Sequence, residues 1–263
     1  MKQPIGNTDG KSAAAQGGSA GAVERLQVFL HWHLVPGVVH AARRLKNRMQ
    51  GNYTSATIPV EWPASPTRID LLRAVVDRRQ VQSYLEIGCR DDECFSQIHA
   101  PHRVGVDPAE GGTVRATSDE FFARNSDRFD LIFIDGLHVY EQVVRDIRNS
   151  VAALNPGGVI VLHDCLPTDC VAQYREQASR IWNGDVWKAI VDARTWPDVD
   201  TVTCLIDHGV GIIRARPNPD PLTLPGGTAA TLRYEDLAAD WQRLLRTVDY
   251  PAGVEFACGD ATA

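Results

Sequence analysis

The chain has 263 residues, 44% of them apolar, which suffices for one sizeable α/β core with peripheral elements. Its formal charge of -6 reflects 33 Asp and Glu against 27 Lys and Arg, so no overall positive field draws it to nucleic acid, and no nucleic-acid partner is expected. No uninterrupted apolar run reaches the roughly 20 residues that span a bilayer. The six cysteines form no C-x-x-C pair and no signal core follows a basic start, so a cytoplasmic protein with reduced thiols and no stable membrane insertion is expected.

Residues 1–21 are rich in Gly, Ala and Ser without periodicity and read as a disordered tail. In 22–49, Val23, Leu26, Phe29 and Leu30 fall at helical spacing, Pro36-Gly37 interrupts, and Arg43, Arg44, Lys46 and Arg48 follow. This reads as a broken amphipathic helix with a basic end. Such a segment either lies on a membrane surface or packs against the main domain with its basic residues solvated, and it offers a contact surface for a homo-oligomer. A proline-punctuated connector completes an N-terminal segment over 22–66.

From Thr67 strand and helix alternate. A helix over 68–79 leads to a strand over 83–87, a short helix near 94–98, and a strand over 103–106 that ends at Asp107. Ser118 begins a short helix with Asp119 and Glu120 in its first turn. A strand over 129–134 follows, then a helix in which Val139, Val143, Val144, Ile147, Val151 and Leu154 repeat at three- and four-residue steps, closed by Asn155-Pro156-Gly157-Gly158. After a strand over 159–162 comes a longer excursion with Trp182, Trp187 and Trp196, then strands over 201–206 and 210–213 flanking Asp207-His208-Gly209, a hairpin signal. The pattern predicts an α/β fold: a Rossmann-like doubly wound sheet over 67–216, mostly parallel with an antiparallel edge strand and helices on both faces. A last amphipathic helix over 234–248 places a C-terminal helical extension over 217–263.

Two apolar runs stop in carboxylates and imidazoles: Phe133-Ile134-Asp135-Gly136-Leu137-His138 and Val161-Leu162-His163-Asp164. Ligands of open α/β sheets bind outside the carboxyl ends of the strands, so these ends aim chemistry at one cleft. Gly88, after Tyr84-Leu85-Glu86-Ile87, lets a ligand approach the backbone, and Asp107 follows at roughly the 20-residue spacing that holds ribose hydroxyls. A nucleoside-containing cofactor is implied. The G-x-G-x-x-G fingerprint is absent, and Asp91, Asp92 and Glu93 stand where a pyrophosphate would sit, which disfavours NAD and suits a cationic cofactor.

The stretches 84–88, Val104-Gly105-Val106-Asp107-Pro108, 117–122, 129–140 and 155–165 together resemble the class I S-adenosylmethionine-dependent methyltransferases. Within them the chain is similar to the small-molecule and sugar O-methyltransferase group that includes macrocin-type enzymes and is related to cephalosporin-hydroxylase-like proteins. The resemblance covers about 83–214 and implies S-adenosylmethionine as cofactor and a sugar or natural-product hydroxyl as the small-molecule acceptor. It implies that Glu86 and Gly88 line the methionine portion, Asp107 holds the ribose, Ser118 and Asp119 lie near the adenine, and Asp135 lies close to the sulfonium or a metal. Asp91 and Asp92 depart from the small residues usual in that turn. Similar methyltransferases hold Mg2+ with acidic residues at the positions of Asp135 and Asp164. In catechol-type relatives an amide follows the second Asp, whereas here Cys165, a soft ligand, does.

An aliphatic hydroxyl needs a positioned base or an acidifying metal before it attacks a methyl carbon. His138 has the pKa range of a base, with Tyr140 and Asp146 either orienting it or packing the helix. Asp135 and Asp164, with His163, form the candidate metal set. His163 reads equally as an ordinary hydrogen-bonded histidine. A zinc site from His163, Asp164, Cys165 and Cys170 lacks the usual ligand spacing. The tryptophans form either an acceptor wall or core and lid packing. Two alternatives stay open: an N-methyltransferase, which needs no metal, and a non-catalytic cofactor-binding or scaffold protein.

Overall fold

The computed structural model describes residues 35–224 and 226–259. The expected tail and the first part of the N-terminal amphipathic segment, including Val23, Leu26, Phe29 and Leu30, lie outside them. Helix α1 spans Val35–Met49, so Pro36-Gly37 falls in its first turn, where a missing N–H costs nothing. Helix α2, Arg68–Arg79, matches its predicted span; the Asp70 carboxylate accepts from the Thr67 backbone N–H at 2.7 Å and secures its start.

Strands β1 (Ser83–Ile87), β2 (His102–Asp107), β3 (Val114–Arg115), β4 (Phe129–Ile134), β5 (Leu154–Leu162), β6 (Asp200–Cys204), β7 (Val210–Arg214) and β8 (Thr247–Val248) form one sheet in the order β3-β2-β1-β4-β5-β7-β6-β8. All neighbours pair parallel except β7, which runs antiparallel to both β5 and β6. The doubly wound sheet read from the sequence is therefore present, its antiparallel strand lying two places in from the β8 edge. Helices α3 (Ser118–Phe122), α4 (Tyr140–Ala153), α5 (Val186–Ala193), α6 (Tyr234–Leu245) and α7 (Tyr250–Cys258), with 3-10 turns at Phe95–Gln97, where a short helix was expected, and Ala229–Thr231, complete the described elements.

Strand alternation divides the core into two layers. Leu131, Phe133, Val159, Val161 and Val202 pack with Leu71, Leu72 and Val75 of α2 and Val254 of α7. Ile132, Ile134, Ile160 and Leu162 face the other way, against Val143 and Ile147 of α4, Trp187 and Ile190 of α5, and Leu237 of α6. A sheet buried on both faces explains the near-continuous apolar runs.

Several features differ from the sequence reading, among them the added strand β3 and the end of β6 at Cys204 rather than Ile206. Strand β5 begins at Leu154 rather than Val159, because Leu154 pairs with Phe129 and Asn155 bonds Asp130 at 2.7 Å before the register shifts around Pro156-Gly157-Gly158. The excursion after β5 contains α5. The last helix stops at Leu245, since Arg246 turns left-handed at φ 48, and 247–248 joins the sheet; a further helix, α7, starts behind the Asp249 cap on Ala252 N–H. The region expected as a helical extension thus adds a strand to the sheet as well.

Asp200, its side chain 3% exposed, receives Arg216 at 2.7 and 2.9 Å and Arg246 at 2.6 Å, tying the start of β6 to the chain after β7 and after α6. Removing one member of a buried ion pair leaves uncompensated charge. Both guanidiniums remain partly in water, so Asp200→Ala is expected to cost about 2–3 kcal/mol, measured by urea unfolding. An unchanged midpoint would show the pair to be without net effect.

Candidate active site

The strand order reverses between β1 and β4, and ligand clefts form at such a switch point, outside the carboxyl ends of the strands. A cleft of ≈ 780 Å³ opens there, and its lining includes Glu86, Gly88, Asp135, His138, His163 and Asp164. Gly88 stands at φ +90, and a Cβ on it would lie 2.2 Å from the Asp135 carbonyl oxygen. Only glycine lets the turns after β1 and β4 approach this closely.

His163 lies at the centre. Its Nδ1 is 3.4 Å from both Asp135 Oδ2 and Asp164 Oδ2, and its Nε2 is 3.0 Å from the Asp207 carbonyl oxygen and 3.5 Å from Asp207 Oδ1. Burial opposes charge on this ring, but the Asp135 and Asp164 carboxylates prevail and raise its pKa well above the ordinary range. Burial would likewise raise Asp135, yet His163 and His138 hold it well below the usual carboxylate range. Asp164 stays raised, burial outweighing the same two histidines. The two carboxyls are thus driven apart in pKa, a pattern of functional sites.

His138 Nδ1 is 3.0 Å from the Trp182 carbonyl oxygen and 3.6 Å from Asp164 Oδ2; its Nε2 is 3.3 Å from Asp135 Oδ1. A carbonyl only accepts, so Nδ1 carries the proton. In the neutral ring the Nε2 lone pair then faces a carboxylate oxygen, which calls for a proton or a cation between them. Burial lowers the His138 pKa, but Asp135 and Asp164 raise it above its ordinary value. Ligand atoms of Asp135, His138 and Asp164 lie within 4.8 Å of one another, the one such group among the described residues.

Glu86 is buried at the end of β1 and accepts from the Tyr84 hydroxyl at 2.5 Å. Burial pushes its pKa up to about 8 despite that bond. Asp107 ends β2 but does not line the cleft: its Oδ1 accepts from Ala109 and Glu110 N–H and its Oδ2 from Arg90 N–H. Ser118 and Asp119 also lie outside that lining, both accepting from Gln142 of α4. Asp92 accepts from Gly112 N–H at 2.7 Å and Glu93 pairs with Arg68, so two of the three acids after Gly88 are taken up within the protein.

Cys165 is wholly buried, its thiol turned to the Leu162 and His163 carbonyls, and Cys170 bonds Thr54 O. Neither joins the group of Asp135, His138 and Asp164, and nor does His163, which the sequence reading placed with the two carboxylates. Of the three tryptophans only Trp182 lines the cleft, its ring 4.8 Å from that of His138. Trp187 is core, and Trp196 packs under Arg148. Asp146 is buried in α4 and accepts from Gln142.

Sequence reasoning missed Arg68 and Asp207. The Arg68 guanidinium meets Asp207 at 2.9 Å and Glu93 at 3.0 Å, with Asp135 at 4.0 Å. Asp207 is held ionised by His163 and Arg68 against the opposing effect of burial. Their signals were an Arg at a helix start and the hairpin signal Asp207-His208-Gly209, and neither discloses a cleft. No helix among the described residues is long and apolar enough to cross a membrane.

No curated protein matches the chain. Among solved structures it is similar to an O-methyltransferase from Bacillus cereus in complex with SAH, at 15% identity over 74% of this chain and 97% of that one, TM-score 0.42. It is also similar to the O-methyltransferase TomG from Streptomyces achromogenes, involved in tomaymycin synthesis and solved with SAM, at 14% identity over 59% and 82%, TM-score 0.43. A third is the N-methyltransferase NodS from Bradyrhizobium japonicum WM9 with S-adenosyl-L-homocysteine, at 20% identity over 60% and 91%, TM-score 0.39. Likeness at this level decides nothing about chemistry. Residues 71–165 match a family model described as a methyltransferase domain, and that segment carries Glu86, Gly88, Asp135, His138, His163 and Asp164.

Proposed function

We propose that the chain is an S-adenosylmethionine-dependent methyltransferase that methylates a hydroxyl of a small molecule or glycosylated natural product with the help of a divalent cation. The observation that carries this reading is the convergence of Glu86, Asp135, His138 and Asp164 on one cleft at the strand-order reversal. S-adenosylmethionine supplies an electrophilic methyl group, and a bound Mg2+ lowers the pKa of the acceptor hydroxyl.

The residues fit both groups. The buried Glu86 carboxyl has no cationic partner among the described residues and suits the cofactor's ammonium. Asp135 and Asp164 offer the hard oxygens that Mg2+ prefers. His163 stands beside them and meets a cation only after losing its Nδ1 proton; until then it is their counter-charge. His138, its Nδ1 fixed on the Trp182 carbonyl, presents Nε2 as the atom that takes the acceptor's proton. The Trp182 ring packs against the His138 ring at 4.8 Å. Transfer to an amine is the second reading, favoured by the acidic lining of Glu86 and Asp91; turnover that persists in chelator would select it.

Calorimetric titration with S-adenosylhomocysteine is expected to show binding that changes when Mg2+ replaces chelator, with Asp164→Asn losing the Mg2+ effect. No binding in either condition would sink the methyltransferase reading in favour of a scaffold. Because burial pushes the Glu86 pKa up to about 8, affinity for S-adenosylhomocysteine should rise roughly fivefold from pH 7 to pH 8, below the range where the ligand's own ammonium is lost. Glu86→Gln should flatten that profile; a flat wild-type profile would remove Glu86 from cofactor binding. Since the His138 pKa lies above its ordinary value, methyl transfer should climb on the alkaline side of the usual histidine range. His138→Gln should lower the rate about 100-fold or more at unchanged Mn2+ affinity, whereas lost Mn2+ affinity would make His138 a ligand instead of the base.

A further inference from the structure

The loop over 171–185 reaches across the cleft, and three consecutive residues of it touch the site. The Trp182 carbonyl accepts a hydrogen bond from His138 Nδ1–H at 3.0 Å. Gly184, at φ +60, packs so closely that a Cβ would lie 2.0 Å from the His138 carbonyl oxygen. Between them Asn183, 1% exposed, donates from Nδ2 to Asp164 Oδ1 at 2.9 Å, with a longer contact of 3.5 Å to the His208 carbonyl.

The other end of the same amide is unexplained by packing. Asn183 Oδ1 is buried and has no hydrogen-bond partner among the described residues. A buried carbonyl oxygen without a donor is costly, and an apolar side chain of the same size would serve better if filling space were the only task. What favours an amide here is therefore its N–H. That donor carries no charge and keeps its proton, so the Asp164 Oδ1 carboxylate oxygen serves purely as the acceptor. Asp164 needs such a hold: it sits at φ +59, a left-handed conformation that a side chain disfavours, at the point where β5 has ended. With Oδ1 engaged, Oδ2 remains for His163 at 3.4 Å and His138 at 3.6 Å.

We infer that Asn183 is a positioning residue, which by holding Asp164 Oδ1 presents Oδ2 to the divalent cation of the reaction proposed above. The inference rests on that metal reading and extends the site to a loop in which the sequence shows no motif. Hydrogen-bond partners of metal-binding carboxylates typically account for 10–100-fold in metal affinity.

The test is calorimetric titration of the full chain with Mn2+ alone, comparing the wild type with Asn183→Leu and Asn183→Ala. Leu matches Asn in shape and removes the unbonded oxygen, so a merely structural Asn183 would leave N183L as stable as the wild type and equal in Mn2+ affinity. The expected result is a loss of Mn2+ affinity of roughly tenfold or more in both variants, with S-adenosylhomocysteine binding in chelator unchanged. Should N183L fail to fold, N183A decides by the same comparison. Equal Mn2+ affinity in wild type and variants would overturn the positioning role while leaving the metal reading intact. A wild type that binds no Mn2+ would overturn both.

Discussion

The arrangement of the cleft depends on how negative charge is kept ionised away from water. Asp135, Asp164 and Asp207 all meet the ring of His163, and without a positive partner their desolvation would be prohibitive. His163 and Arg68 supply that partner from two distant parts of the chain, one at the end of β5 and one at the start of α2. This explains why the β6–β7 turn accepts left-handed Asp207 and His208: the turn places Asp207 against Arg68 and His163 together. The hairpin and the first turn of α2 are thus part of the site's electrostatics although neither follows β1 or β4.

The second constraint comes from above the sheet. Arg43 and Arg44 of α1 donate to the carbonyls of Gln177 and Ala178, and Lys46 pairs with Glu176. Basic residues read from sequence as either membrane-facing or solvated are therefore spent largely on the loop that roofs the cleft. The same helix leaves Val38, Leu45 and Met49 exposed. Through that loop the helix is coupled to Trp182 and Asn183, and so to His138 and Asp164.

Much of the fold was legible because strands buried on both faces are apolar without interruption and amphipathic helices repeat at three to four residues. The spans of α2, β1 and β4 follow directly from those patterns. The β5 lead-in was not legible, because Asn155-Pro156-Gly157-Gly158 has the composition of a helix stop and only pairing with β4 recruits it into the sheet. The same holds for 247–248 and for α7: a two-residue strand has no periodicity of its own, and its partner Thr203-Cys204 lies over 40 residues away.

By itself the sequence determined the alternation of strand and helix, the strand ends at Glu86, Asp135 and Asp164, and the presence of His138 beyond one of them, since each follows from local pattern and chain direction. Which of the candidate residues share a cleft was decided only by tertiary structure. Asp107, Ser118 and Asp119 turn toward backbone amides and Gln142, while Arg68, Trp182, Asn183 and Asp207 arrive from elements that carry no motif. The physical reason is that charge compensation and hydrogen-bond satisfaction act between side chains a few ångströms apart in space, whatever their separation along the chain.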